Sequence, residues 1–253
     1  MFTDTHCHIF KEDYENQEEI LKNLNKNNIK RIIINGYNDK TNKEVINLTK
    51  KYKNVYGTLG FHPNNINELM PDSLKFIEEN INKDKILGIG EIGLDYYRNK
   101  ENKEKQKELL IKLLNLATTY NKPVIIHNRE STDDLLKLLK EYNLKGIIHS
   151  FSGSYETAIE FIKLGYKLGI NGIVTFKNSK LPETLSKIPL ENILLETDSP
   201  YITPEPIRGK QNEPKNLIYI ANKLTDIYNT TLEELSIQLE KNYKNTFSKV
   251  NKN

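Results

Sequence analysis

Eight short runs rich in Ile, Leu and Val, each followed by a longer segment of helical period, are the feature of this 253-residue chain that most restricts its fold. The runs are Phe2 to Ile9, Arg31 to Asn35, Val55 to Phe61, Ile86 to Ile92, Pro123 to His127, Gly146 to His149, Tyr166 to Ile170 and Ile193 to Thr197. Strand-length apolar runs alternating with amphipathic segments read as repeated βα units on a parallel sheet. Eight such units is the number that closes an α/β TIM (β/α)8 barrel. The segments between them carry apolar residues at helical spacing, as in Ile20-Leu21-Leu24, Val45-Ile46-Leu48, Leu74-Ile77-Ile81, Leu109 to Leu116, Leu135-Leu136-Leu138-Leu139 and Ala158-Ile159-Ile162. Leu181-Pro182 and Ile188-Pro189 confine the seventh helix to a short piece, because proline has no N–H to donate inside a helix. A Pro-rich loop from Tyr201 to Pro214 precedes two further helical stretches ending near Lys249. Helices from about residue 212 are expected to pack on the barrel, and residues 1–253 read as one domain.

Polar residues fall at the ends of these runs. His6 and His8 end the first, His62 follows the third, Glu91 lies on the fourth, His127 closes the fifth, His149 the sixth, and Asp198 follows the last. All five histidines of the chain are in this set. In a parallel barrel the C-terminal strand ends converge on one face, where such folds place their chemistry. His6 and His8 are two apart on a strand and project from one face, with Asp4 behind them, while Cys7 points the other way.

Four imidazoles and two carboxylates exceed what a single four-coordinate ion needs. They suit two divalent metal ions, with His6, His8, Glu91, His127, His149 and Asp198 as ligands. Glu91, between the opening pair and the later histidines in barrel order, is the natural bridge. Mixed nitrogen and oxygen ligation admits zinc, manganese, cobalt or iron, with weaker magnesium occupancy. Two dications against two carboxylates leave a formal surplus of about two positive charges, which favours an anionic group such as a phosphate ester. Asp198 is the expected proton acceptor for the attacking water and Glu91 the second catalytic carboxylate. Arg129 and Arg208 are candidates to hold phosphate oxygens through the guanidinium fork.

Composition narrows the setting. Net charge is +3, from 37 basic and 34 acidic residues interspersed along the chain, which does not mark a dedicated nucleic-acid surface. There is no apolar run of eighteen residues and no pattern of a secretory signal, so a cytoplasmic enzyme without membrane association is expected. One cysteine excludes an internal disulfide framework. No obligate protein partner is evident, and a monomer is expected.

The stretches F-T-D-T-H-C-H at Phe2 to His8, G-F-H-P at Gly60 to Pro63, G-E-I-G-L-D-Y-Y at Gly90 to Tyr97, K-P-V-I-I-H at Lys122 to His127, H-S-F-S-G-S at His149 to Ser154, L-E-T-D-S-P-Y at Leu195 to Tyr201 and R-G-K-Q-N-E-P at Arg208 to Pro214 resemble the TatD family of metal-dependent deoxyribonucleases. The resemblance implies a TIM-barrel hydrolase of the amidohydrolase superfamily that cleaves DNA from the 3′ end, with a role in DNA repair or in DNA degradation during cell death. It places His6, His8, Glu91, His127, His149 and Asp198 at metal positions and His62 near the substrate phosphate. Asn128-Arg129-Glu130-Ser131 departs from the family pattern and puts the capping of the following helix in doubt. The alternative within the same superfamily is hydrolysis of another ester or amide, such as an aminoacyl ester. A metal-binding protein without turnover is a third reading, which the complete ligand set disfavours.

Overall fold

In the computed structural model, which describes residues 1–247, eight parallel strands pair in sequence order. They are β1 (Phe2–Cys7), β2 (Ile29–Asn35), β3 (Val55–Leu59), β4 (Ile86–Asp95), β5 (Val124–Arg129), β6 (Gly146–Ile148), β7 (Tyr166–Ile170) and β8 (Ile193–Leu195). The barrel read from the sequence is the fold. Ile32, Ile33 and Ile34 are all fully buried, because a barrel strand has interior on one side and helices on the other.

The surrounding helices are α1 (Gln17–Lys22), α2 (Asp39–Lys51), α3 (Ser73–Asn80), α4 (Lys103–Thr119), α5 (Thr132–Leu139), α6 (Tyr155–Lys163), α7 (Leu181–Leu185), α8 (Leu217–Tyr228) and α9 (Leu232–Phe247). The prolines hold α7 to five residues. The expected end of the last helix near Lys249 lies outside the described residues. On α4, Leu109, Leu110, Leu113, Leu114 and Ala117 form one buried stripe. Each buried leucine there stabilises the fold by about 1.5–3 kcal/mol. At the start of α2 the Asn38 side chain accepts from the Thr41 N–H at 3.0 Å and the Thr41 hydroxyl accepts from the Asn38 N–H at 3.0 Å, a reciprocal cap. The start of α5 has no such cap. Ser131 donates instead to the Leu94 carbonyl at 3.0 Å and to Asn128 Oδ1 at 2.8 Å, tying the departure from the family pattern to β4 rather than to the helix end.

The N-terminal mouth of the barrel is covered by α9. Tyr243 and Phe247 pack on Ile125, Ile147 and Leu194, which come from three different strands. Asn242 Nδ2 donates to the carbonyls of Leu190 and Ile193 at 2.8 Å each, and Glu240 pairs with Arg31 at 3.1 Å.

The seam between β8 and β1 is made by side chains and strand ends. Thr5 Oγ1 donates to the Leu195 carbonyl at 3.0 Å, and Asp4 accepts from the Thr197 N–H at 3.0 Å and its hydroxyl at 2.6 Å. Just beyond, the N–H of Asp198 donates to the His6 carbonyl at 2.9 Å and that of His8 to the Ser199 carbonyl at 2.7 Å. The contacts that close the barrel therefore also fix His6, His8 and Asp198 relative to one another.

Burial pushes the Asp4 carboxyl up to about 8. The folded protein then keeps a proton that the unfolded chain releases above about pH 4, so this stabilisation is complete below that pH and is lost as pH rises toward 8. Asp4→Asn is expected to keep the seam and remove that dependence. Urea unfolding at pH 5 and pH 8 should show the variant gaining on the wild type at the higher pH, by up to about 1.4 kcal/mol per pH unit. Equal pH slopes for the two proteins would exclude a proton on Asp4.

Candidate metal centre

Each histidine is brought to the C-terminal mouth by a strand or the first residues after it. His6 is on β1, with His8 just past its end, and His127 is on β5. His149 directly follows β6 and His62 follows β3. Asp198 lies three residues past β8, in a turn where its φ of 58° falls in the left-handed region. Glu91 rises from the middle of β4 beside Gly60, where a Cβ would stand only 2.4 Å from the Gly90 carbonyl carbon. A glycine at 60 is what lets the chain just past β3 lie against the backbone of Gly90 and Glu91.

The two oxygens of Glu91 face different sets of side chains. Oε2 lies 3.4 Å from His6 Nε2 and 3.3 Å from His8 Nε2. Those nitrogens are 3.0 Å apart, and each is 3.6 Å from Asp198 Oδ1. Oε1 lies 3.1 Å from His127 Nδ1, 3.0 Å from His149 Nε2 and 3.3 Å from His62 Nε2.

Proton positions on three rings follow from their outer partners. His8 Nδ1 donates to the Asn35 carbonyl at 2.9 Å, which leaves Nε2 as a bare lone pair. His127 Nε2 donates to Asp95 Oδ2 at 3.2 Å, which leaves Nδ1 bare toward Glu91. His62 is the reverse. Its Nδ1 accepts the Asn64 N–H at 3.0 Å, so the neutral ring carries its proton on Nε2 and points a donor at Glu91. His62, Glu91 and His127 lie close enough together to hold an ion, but that proton makes His62 a hydrogen-bond donor and leaves the ligand place to His149.

Lone pairs and carboxylate oxygens therefore converge in two groups, His6 with His8, Glu91 and Asp198, and His127 with His149 and Glu91. Such an arrangement repels itself without a cation. Ligands at about 2.0–2.1 Å from a tetrahedral ion stand about 3.3 Å from one another. The separations of 3.0–3.6 Å fit that shell, and the second group fits as well.

The two carboxyls end on opposite sides of their ordinary value. Glu91 is pushed up by desolvation, but the neighbouring His149, His62 and His6 outweigh it and hold it well below the usual range. Asp198 is pushed up to about 6 by burial, less opposed by His149 and His8. Burial, reinforced by His149, lowers His6 well below its ordinary value. At His8, His127 and His149 burial is outweighed by the neighbouring carboxylates, which raise the ring, so those three give up a proton when they bind a metal.

Cys7 is turned away, its thiol toward the Ile33 carbonyl at 3.5 Å. The two arginines singled out from the sequence stack on rings: Arg129 lies 4.0 Å from the centroid of Tyr97, and Arg208 4.0 Å from that of Phe176. Sequence reading missed two carboxylates, Asp95 behind His127 and Glu196 behind His149. The signal was present in both cases, an acid among apolar residues within four positions of a named ligand.

A (β/α)8 barrel with imidazoles and carboxylates gathered at its C-terminal mouth is the architecture of a metal-dependent hydrolase. The family described as TatD related DNase matches residues 3–248, and the chain belongs to it. YabD of Bacillus subtilis, named an uncharacterized metal-dependent hydrolase, is 36% identical over 252 residues, covering 98% of this chain and 99% of the relative. The crystal structure of YjjV, a TatD homolog from Escherichia coli, superposes with a TM-score of 0.92 at 30% identity over 98% of each chain. A TatD family hydrolase from Entamoeba histolytica gives 0.88 at 28% identity, again over 98% of each. The protein is a metal-dependent hydrolase.

Proposed function

We propose that the protein is a two-metal phosphodiesterase that removes nucleotides from the 3′ end of DNA. The observation that carries this reading is the division of Glu91, one oxygen toward His6 and His8 and the other toward His127 and His149. Two divalent ions held there supply Lewis acidity toward a phosphate oxygen and toward the attacking water. Manganese, zinc, cobalt and magnesium are the candidates.

The chain's own residues do the rest. Asp198 stands 3.6 Å from both His6 Nε2 and His8 Nε2, placed to take the proton of the attacking water. His62 directs an Nε2–H into the site as a donor for a phosphate oxygen. The rim supplies groups suited to a nucleic-acid end. Tyr97 and Tyr201 are 52% and 59% exposed, large aromatic surfaces that a soluble fold gains nothing by displaying. The Tyr201 ring is 6.5 Å from that of His8, and its backbone is held by a 2.8 Å bond from its N–H to the Asp198 carbonyl. With Arg129 over Tyr97, the two rings offer stacking for a base and the guanidinium a fork for a phosphate.

Digestion of 3′- and 5′-labelled oligonucleotides across a metal series tests the assignment. Shortening from the 3′ end that a chelator abolishes and manganese or magnesium restores is the expected result. Intact oligonucleotides alongside turnover of an uncharged ester or amide would replace it with the other hydrolase reading. Within the nuclease reading, Tyr201→Ala is expected to raise KM for an oligonucleotide by about 5- to 150-fold, the loss of one base stack at about 1–3 kcal/mol. Its rate on bis(4-nitrophenyl) phosphate, which has no base, should not change. Equal effects on both substrates would remove Tyr201 from base binding.

A further inference from the structure

Four imidazoles offer a nitrogen to the metal centre, and for two of them the outer nitrogen has a clear partner. His8 gives its Nδ1–H to the Asn35 carbonyl and His127 its Nε2–H to Asp95. The other two are His6 and His149, whose Nδ1 atoms are buried and have no hydrogen-bond partner among the described residues. Beside them lies a third buried atom in the same state, Glu196 Oε2. Glu196 is fully buried. Its Oε1 accepts the Ser150 N–H at 2.6 Å and lies 3.6 Å from His149 Nδ1. A ring nitrogen of His6, one of His149 and a Glu196 oxygen all fall within 4.8 Å of one another. The two rings stack with centroids 4.0 Å apart and planes 16° apart, so one group can serve both outer edges.

A fully buried carboxylate with a single backbone donor is costly to keep. The fold has nevertheless made room for it. A Cβ at residue 169 would stand 2.1 Å from Glu196 Oε2, so β7 carries Gly169 at the one place the carboxylate needs.

We propose that Glu196 is a positioning residue for the metal centre: it accepts the Nδ1–H of His149 directly and that of His6 through one bridging water. Both rings are thereby locked in the tautomer whose Nε2 lone pair faces Glu91. A ligating imidazole whose other nitrogen is held this way is oriented and made more basic. The inference rests on the metal-centre reading and is independent of the substrate. Merely capping Ser150 is the competing role.

Glu196→Gln separates the two roles. Its amide oxygen, in the place of Oε1, still accepts from Ser150, while an NH2 replaces Oε2, the oxygen with no other partner, and the charge that draws the imidazole protons is gone. Zinc affinity, read by competition with a chromophoric chelator, is expected to fall about 10- to 100-fold. The thermal midpoint of the metal-free variant should hold or rise, because a buried charge has gone. Gly169→Ala, which displaces the carboxylate without removing it, should weaken zinc binding in the same direction, and Glu196→Asp should recover part of the affinity. Long-range proton–nitrogen spectra of the metal-free wild type at pH 8 should show His6 and His149 protonated at Nδ1, a preference that weakens in Glu196→Gln.

Unchanged zinc affinity and unchanged tautomers in Glu196→Gln would overturn the proposal. So would a wild-type spectrum with the His149 proton on Nε2, an outcome that needs no variant to fold. A wild type that binds no zinc or manganese at all would instead overturn the metal centre itself.

Discussion

Asp198→Asn is expected to lower kcat by about 10²- to 10⁴-fold at saturating metal, with KM changed little. The substitution keeps the shape of the side chain and the backbone bond from residue 198 to the His6 carbonyl at 2.9 Å, which does not depend on the carboxylate. What it removes is a proton acceptor 3.6 Å from both His6 Nε2 and His8 Nε2. Loss in kcat with KM preserved is the signature of an interaction made in the transition state. Asp198 serves one group of ligands, so its variant needs the added metal, and Glu91→Gln should cost more. Its carboxylate stands between both sets of imidazoles, so the variant should lose metal as well as rate, which elemental analysis of the purified protein reads directly. Cys7→Ser, on the opposite side of β1, leaves the rate unchanged. A variant Asp198→Asn that keeps more than about a tenth of wild-type kcat would remove Asp198 from general-base catalysis.

Each metal is expected to raise the thermal midpoint by about 8–16 °C at a thousandfold excess over its Kd, so stripping both should lower it by about twice that. Binding to the folded state alone stabilises by about 4 kcal/mol at that excess. A chain of this size shifts by about 2–4 °C per kcal/mol. The structural cause is the convergence of His6, His8, Glu91 and Asp198 at 3.0–3.6 Å, unshielded when no cation is present. The midpoint should climb with free metal, each tenfold step adding up to about 1.4 kcal/mol per site. His6→Ala with His8→Ala should bind at the remaining group only and show roughly half the shift. A midpoint that is the same in chelator and in excess manganese or zinc would argue against ligation by these residues.

The barrel was legible because its signal is local. Each strand is a short apolar run and each helix a stripe at helical spacing, and in a parallel barrel neighbours in sequence are neighbours in space. That same rule made the centre legible, since every strand delivers its C-terminal end to one mouth. The divided environment of Glu91 could be anticipated from barrel order alone. The roles of Arg129 and Arg208 could not, because a guanidinium near a mouth reads alike whether it faces a phosphate or lies on a ring such as Tyr97 or Phe176.

Sequence by itself determined which groups reach the site. It contains the alternation that sets eight strands in order, the positions of His6, His8, His127, His149 and Asp198 at or near their ends, and Glu91 within the fourth. Tertiary structure decided what stands around those groups: Asp4 reaching Thr197 across 193 positions to close the seam, Asp95 behind His127, Asn64 behind His62, and Glu196 beside His149. Periodicity reports which face a side chain takes. It carries nothing about which nitrogen bears the proton, because that depends on a partner brought close only when the barrel closes.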